Sequence, residues 1–176
     1  MLSQDGGMEI FTTMKTRIIS ALIMLPLLLI IYFGGKVLLL ACFIIGLLGV
    51  REFYKGFEVM GVKPCYTIAY GSLLALYAVN LFVVSAQREN ELQWYMLWFF
   101  AVIVSSLLYL FKIEERKLED AMATITGIFY IVFFSYHVAL VDQSGEYRLL
   151  VWLIFLSAYG TDIMAYFTGY FLGKHK

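Results

Sequence analysis

The residue best placed to do chemistry is Asp162, a carboxylate set well inside an apolar segment that runs from Leu149 to Leu172. An ionisable side chain at membrane depth costs about 3 kcal/mol or more, so such residues face polar cavities and mark function. A carboxylate held there can take a cation. At about 100° per residue, Ala158, Asp162, Ala165, Tyr166, Gly169, Gly173 and Lys176 fall in one stripe, whereas Met164, Phe167 and Phe171 point the other way. Ala165, Gly169 and Gly173 are spaced by fours, the pattern that lets another helix or a ligand come close to the backbone. The stripe therefore reads as packed rather than lipid-exposed, and Gly160-Thr161 offers a place for the helix to break and open a polar pocket. The purely structural alternative is a buried acid held by Thr161, Tyr159 or a neighbouring helix, with the glycines serving packing alone. Lys174 and Lys176 follow about 18 to 21 Å further along an unbroken helix, near the headgroup plane.

The elements that must carry this stripe are membrane helices. Hydrophobic residues make up 62% of the chain and charged residues 15%, with a mean hydropathy of +0.82. That composition lies outside the range of soluble domains, so an all-α integral membrane protein is expected. Thirteen basic and thirteen acidic residues give a formal net charge of zero, which removes long-range attraction to nucleic acid. Cys42 and Cys65 form no C-x-x-C and suit neither a disulfide framework nor a structural zinc.

Six segments are apolar enough to span: Ile18 to Phe33, Val37 to Phe53, Tyr66 to Ala86, Trp94 to Phe111, Ala121 to Val141 and Leu149 to Leu172. The first two are short for a membrane. Met1 to Thr13 is a polar N-terminal extension or tag, and residues 14–176 form one polytopic domain. Lys15 and Arg17 ahead of the first segment imitate a signal peptide, but Gly34-Gly35-Lys36 supplies no cleavage pattern, so the span stays, with a kink at Pro26. With the N-terminus inside, ten basic residues are cytoplasmic and three (Lys36, Arg88 and Arg148) are not, which places both termini in the cytoplasm.

Other polar residues are weighed against plainer roles. Trp94, Tyr95, Trp98 and Trp152 read as interfacial anchors. The block Lys112 to Asp120, KIEERKLED, reads as a solvated connection, with contact to a lipid headgroup as the alternative. Glu52 is either an interfacial ion-pair member or a helper carboxylate. A lone His137 in a span is expected to hydrogen-bond a neighbour. Asn80, Ser105, Ser106, Thr124 and Thr126 are expected to bond between helices.

Asp162, Ala165, Tyr166, Gly169, Gly173, Lys174 and Lys176 stand as D-x-x-A-Y-x-x-G-x-x-x-G-K-x-K. This block resembles the first motif of the phosphatidate cytidylyltransferases, also called CDP-diacylglycerol synthases. Lys15, Arg17, Ile18, Ile19 and Arg51-Glu52 resemble that family's opening. Tyr170 stands where the family usually carries a basic residue. The chain ends at Lys176, where the family continues into a Ser-Pro/Lys-Thr block and a C-terminal signature, so it matches the N-terminal two-thirds of a member and is expected to be inactive alone.

The resemblance implies transfer of a cytidylyl group from CTP to phosphatidate in phospholipid biosynthesis, in a bacterial inner membrane. It implies Asp162 as the catalytic carboxylate and ligand of Mg2+. Tyr166, Gly169, Gly173, Lys174 and Lys176 would bind substrate, the lysines on a phosphate of CTP or phosphatidate unless they are plain snorkelling residues. The open small-residue face invites self-association, a homodimer at its simplest. A cation-coupled transporter and an inactive membrane scaffold are the readings from other classes.

Overall fold

The computed structural model describes residue 26 and residues 28–84, 90–111 and 116–172, and every element among them is helical. Helix α1 is Gly35–Val59, and α2 is Tyr66–Val79, which widens into a π-helical turn at Asn80–Val84. Helix α3 is Glu91–Leu108, tightened at its end over Tyr109–Phe111. Helix α4, Leu118–Gly127, runs through a π segment at Ile128–Phe133 into α5, Phe134–Gln143. Helix α6 is Arg148–Leu172.

Among the described residues four stretches are long and apolar enough to cross a membrane: Gly35–Val59, Glu91–Phe111, Leu118–Gln143 and Arg148–Gly169, with Tyr66–Phe82 a shorter apolar helix. The second segment of the sequence is longer than its apolar run. Arg51, Glu52 and Lys55 lie within the 25-residue α1, so this helix is about 37 Å long and is not short for a bilayer. Of the expected first span, only residue 26 and residues 28–33 are described; 28–33 are helical and Ile31 is buried.

Helix α1 packs on α2 and α5, α2 on α3, and α3 on α4. On α1 the buried positions Leu38, Cys42, Gly46, Val50 and Tyr54 recur every fourth residue and make one seam. Between apolar helices in lipid there is little hydrophobic drive, and close packing takes its place. Gly46 shows how close: a Cβ there would lie 2.6 Å from Leu73 Cδ1. Gly127 likewise gives its space to the ring of Tyr54, whose hydroxyl donates 2.8 Å to the Thr124 carbonyl.

Two polar knots tie the ends of the bundle. At one end, buried Asp142 accepts from the Gly35 N–H and, at 3.1 Å, from Arg148 Nε. Arg148 Nη2 also donates to the carbonyls of Tyr32 and Phe33 at 3.2 and 3.3 Å. Gly34 turns there with φ +59°, and a Cβ on it would sit 2.6 Å from Arg148 Nη2. At the other end, buried Asp120 accepts from the N–H groups of Lys63 at 2.7 Å and Lys117 at 2.9 Å. Thr124 Oγ1 accepts from the Cys65 N–H at 2.8 Å. Asp120 is thus not a solvated charge of the KIEERKLED connection. It starts α4 by satisfying a helix-end amide and fastens the α1–α2 connection to it.

The aromatic anchors are also revised. Trp98 is 4% exposed and donates its Nε1–H to the Ser72 carbonyl at 2.8 Å, so it is a core residue. Tyr95 joins a buried network in which its hydroxyl meets Tyr136 Oη at 2.7 Å, and Asn80 Nδ2 reaches Tyr136 Oη and Gln143 Oε1 at 3.1 and 3.0 Å. Trp152 packs half-buried against the core, whereas Trp94 remains exposed. Cys42 and Cys65 are free thiols.

Candidate functional site

The site begins with how α6 leaves the bundle. Its first turns are held by the Asp142–Arg148 pair, by buried Val151, and by Trp152 and Phe155 packed on the core. Beyond them every residue from Thr161 to Gly169 is exposed. Asp162 lies fourteen residues past Arg148 in one unbroken helix, about 21 Å along its axis.

The structure places Asp162, Tyr166 and Gly169 on the same exposed arm, at helical spacing of four and three residues. Tyr166 is about half exposed, and a Cβ on Gly160 or Gly169 would meet nothing within 4 Å. The stripe expected to be packed is therefore open, because small residues every fourth position permit close approach but do not supply the partner. The break expected at Gly160-Thr161 does not occur. Thr161 keeps its hydroxyl on the Ser157 carbonyl at 2.6 Å, and the helix continues to Leu172. Thr161 is thereby also excluded as the partner that holds Asp162. Gly173, Lys174 and Lys176 lie outside the described residues.

A shallow groove of about 580 Å³ runs along this arm between Leu156, Ser157, Gly160, Thr161, Met164, Ala165 and Thr168. Its hydroxyls are turned inward to their own helix: Ser157 donates to Ile154 O at 2.9 Å and Thr168 to Met164 O at 2.7 Å. The groove wall thus offers methyl, methylene and glycine surface, and Asp162 is not among its lining residues.

Magnesium was expected at Asp162, and the donor set tests that expectation. Among the described residues no group of three or more His, Cys, Asp or Glu could hold a metal. Asp162 supplies one carboxylate, which is the share that protein often contributes to magnesium when phosphates and water complete the shell. Glu52, the other acid considered for this role, forms an exposed ion pair with Lys55 Nζ at 2.9 Å. Its neighbour in sequence, Arg51, is not that partner, because adjacent helical residues point apart and residues three apart meet.

His137 behaves as expected, its Nδ1 lying 2.8 Å from the Phe133 carbonyl with the two rings in contact. The hydroxyls expected to bridge helices divide. Asn80 and Thr124 do connect elements. Ser105 and Thr126 bond carbonyls of their own helices, at Ala101 and Met122, and buried Ser106 Oγ has no partner. Sequence reasoning missed Asp120 and Asp142, the two most consequential buried acids. For Asp120 a signal existed: an acid in the first turn after Lys117, just ahead of the apolar run.

Comparison with known proteins adds one positive finding. The cytidylyltransferase family profile matches residues 15–176. No curated protein and no solved structure matches the chain.

Proposed function

Because this chain belongs to the cytidylyltransferase family, whose reaction is cytidylyl transfer from CTP, we propose that its acceptor is phosphatidate. A phosphate oxygen of the lipid attacks the α-phosphorus of CTP, the bond to the bridging oxygen breaks, and pyrophosphate leaves with CDP-diacylglycerol as product. The observation that carries this reading is that the match takes in the whole Asp162-to-Lys176 block, whose carboxylate stands on the open arm of α6. A lipid acceptor also suits a chain with four helices among its described residues long and apolar enough to cross a membrane.

Nucleotidyl transfer asks little covalent work of a protein; it asks for alignment and for neutralisation of phosphate oxygens. In this reading Asp162 is the protein ligand of Mg2+, which would supply the neutralising charge when bound with CTP. Tyr166 lies one turn further along and Gly169 leaves room for a phosphate or headgroup beside the helix, while Lys174 and Lys176 pair with phosphate at the membrane surface. The full topology we favour has six spans with both termini cytoplasmic, in a bacterial inner membrane, and it makes the arm of α6 a membrane helix whose end meets CTP. A homodimer through the same arm is compatible with its open face.

Two measurements test this. The first is magnesium- and CTP-dependent formation of CDP-diacylglycerol from phosphatidate in membranes containing the protein, compared with Asp162→Asn. The variant should lose about a hundredfold or more of the rate, the scale of one removed charge-stabilising group, while remaining monodisperse in detergent. Equal turnover by the variant removes Asp162 from the site. The second is labelling of single cysteines at Ser144 and Lys176 by a membrane-impermeant reagent in intact cells. Position 144 should react and 176 should not; the reverse pattern inverts the topology.

A further inference from the structure

The connection between the candidate spans that end at Phe111 and begin at Leu118 carries Arg116. Whichever way the chain is inserted, that position is where headgroups meet hydrocarbon. The Arg116 guanidinium carbon lies 4.5 Å from the centroid of the Tyr109 ring, a cation–π contact that fixes the plane of the side chain. Tyr109 is itself steadied by its hydroxyl, which donates to the Lys63 carbonyl at 3.4 Å. The Nε–H of Arg116 is buried and finds no acceptor.

Among the described residues the Asp120 carboxylate acts on Arg116 through its charge, and no acid forms an ion pair with the guanidinium. Asp120, the buried acid at this edge, gives one oxygen to the Lys63 N–H and the other to the Lys117 N–H. Glu119 points to solvent on the first turn of α4, and Lys63 and Lys117 are exposed as well. The ion pairs of the described residues, Glu52–Lys55 and Asp142–Arg148, lie elsewhere. Beside the guanidinium opens a groove of about 370 Å³, walled by Leu107, Leu110, Phe111 and Leu118. Phe111 and Leu118 are largely exposed.

A fixed cation at the rim of an apolar groove, at headgroup depth, selects a ligand with both an anion and a hydrocarbon chain. We propose that Arg116, held on Tyr109, and this groove bind an anionic glycerophospholipid, with its phosphate on the guanidinium and an acyl chain along Leu107, Leu110, Phe111 and Leu118. Guanidinium is suited to this because its planar fork meets two phosphate oxygens at once. A free anion would have no use for the apolar wall. The site lies in the α3–α4 connection, away from the Asp162 arm, and it does not depend on the cytidylyl reaction.

The test is native mass spectrometry of the purified full chain in detergent, titrated with phosphatidylglycerol and with phosphatidylcholine of the same acyl chains. Phosphatidylglycerol is not the acceptor proposed above, so its binding and the enzymatic reading stand or fall separately. Arg116→Gln should weaken phosphatidylglycerol binding roughly fivefold, the contribution of one basic residue near a membrane surface, and leave phosphatidylcholine binding unchanged. Phe111→Ala, an exposed change that keeps Arg116, should weaken it about twofold. Wild-type phosphatidylglycerol binding by Arg116→Gln overturns the proposal, as does an equal loss for both lipids. Displacement by inorganic phosphate at the same concentration as by lipid overturns it too, since that marks a free-anion site. If Arg116→Gln fails to fold, Phe111→Ala decides: unchanged binding there sinks the groove.

Discussion

The bundle of α1 to α5 and the outer half of α6 use the same residue types to opposite ends. Both carry glycines at helix faces, hydroxyls and a carboxylate near a helix end or middle. In the bundle several of these groups are engaged: Gly46 and Gly127 admit Leu73 and Tyr54, Thr124 bridges two elements, and Asp120 and Asp142 accept from backbone N–H groups or Arg148. On the arm Gly160 and Gly169 face open space and Asp162 is exposed. The difference is one of occupancy. Groups that are satisfied hold a fold together, and groups left open on a rigid support are available to a ligand or partner.

The largest effect should come from breaking the bundle's own carboxylate. Asp142→Ala removes the acceptor of the Gly35 N–H and of Arg148 Nε. Severing a buried pair costs about 3 to 5 kcal/mol, and the low end applies because the Arg148 side chain is half exposed and keeps the Tyr32 and Phe33 carbonyls. Unfolding in mixed micelles should show a loss of about 3 kcal/mol. Asp162→Asn in the same assay should change stability by less than about 0.5 kcal/mol, as exposed substitutions do. Comparable losses for the two would erase the distinction between the regions.

Glycine substitutions sharpen it through sign. Gly46→Ala drives a methyl to 2.6 Å from Leu73 Cδ1, on a side chain that is fully buried. Overpacking of that kind costs about 1 to 3 kcal/mol, which exceeds the gain from alanine's better helix propensity. Gly169→Ala meets nothing within 4 Å, so only the propensity term remains and the variant should be more stable by about 0.5 to 1 kcal/mol. The same unfolding titration reads both. Shifts of equal sign would mean that the arm is packed after all.

How much of this was legible in the sequence depends on whether a property belongs to one helix or to a pair. The stripe through Asp162, Tyr166 and Gly169 follows from helical spacing alone, and the structure reproduces it. Whether that stripe is covered depends on a neighbour, and spacing does not report one. The roles of Asp120 and Asp142 are hidden because charges beside connections look solvated; besides nearby Lys117 and Arg148, each binds an amide far away in sequence, of Lys63 and Gly35, that side-chain pattern does not show. Ser105 and Thr126 went the other way, since a hydroxyl in a helix always has its own carbonyl four residues back within reach. Length misled as well: the seam Leu38, Cys42, Gly46, Val50, Tyr54 continues past the charged Arg51-Glu52, and packing carries α1 beyond its apolar run as far as Tyr54.

The smallest effect distinguishes two tryptophans four residues apart. Trp94 and Trp98 share a helix face on α3, and by composition both suit a membrane interface. Trp98 is 4% exposed, stacks on Phe133 with ring centroids 6.1 Å apart, and donates to the Ser72 carbonyl at 2.8 Å. That carbonyl sits on α2, so the bond joins two elements. Trp94 is 47% exposed. Trp98→Phe keeps an aromatic ring but deletes the donor, and the net loss should be about 1 kcal/mol, the usual worth of one such bond. Trp94→Phe should fall within about 0.5 kcal/mol of the parent. If Trp94→Phe proves the costlier of the two in bilayers but not in detergent, then Trp94 is the anchor that fixes the depth of α3, and the roles expected of these two residues separate cleanly: one sets position in the membrane, the other holds α2 against α3.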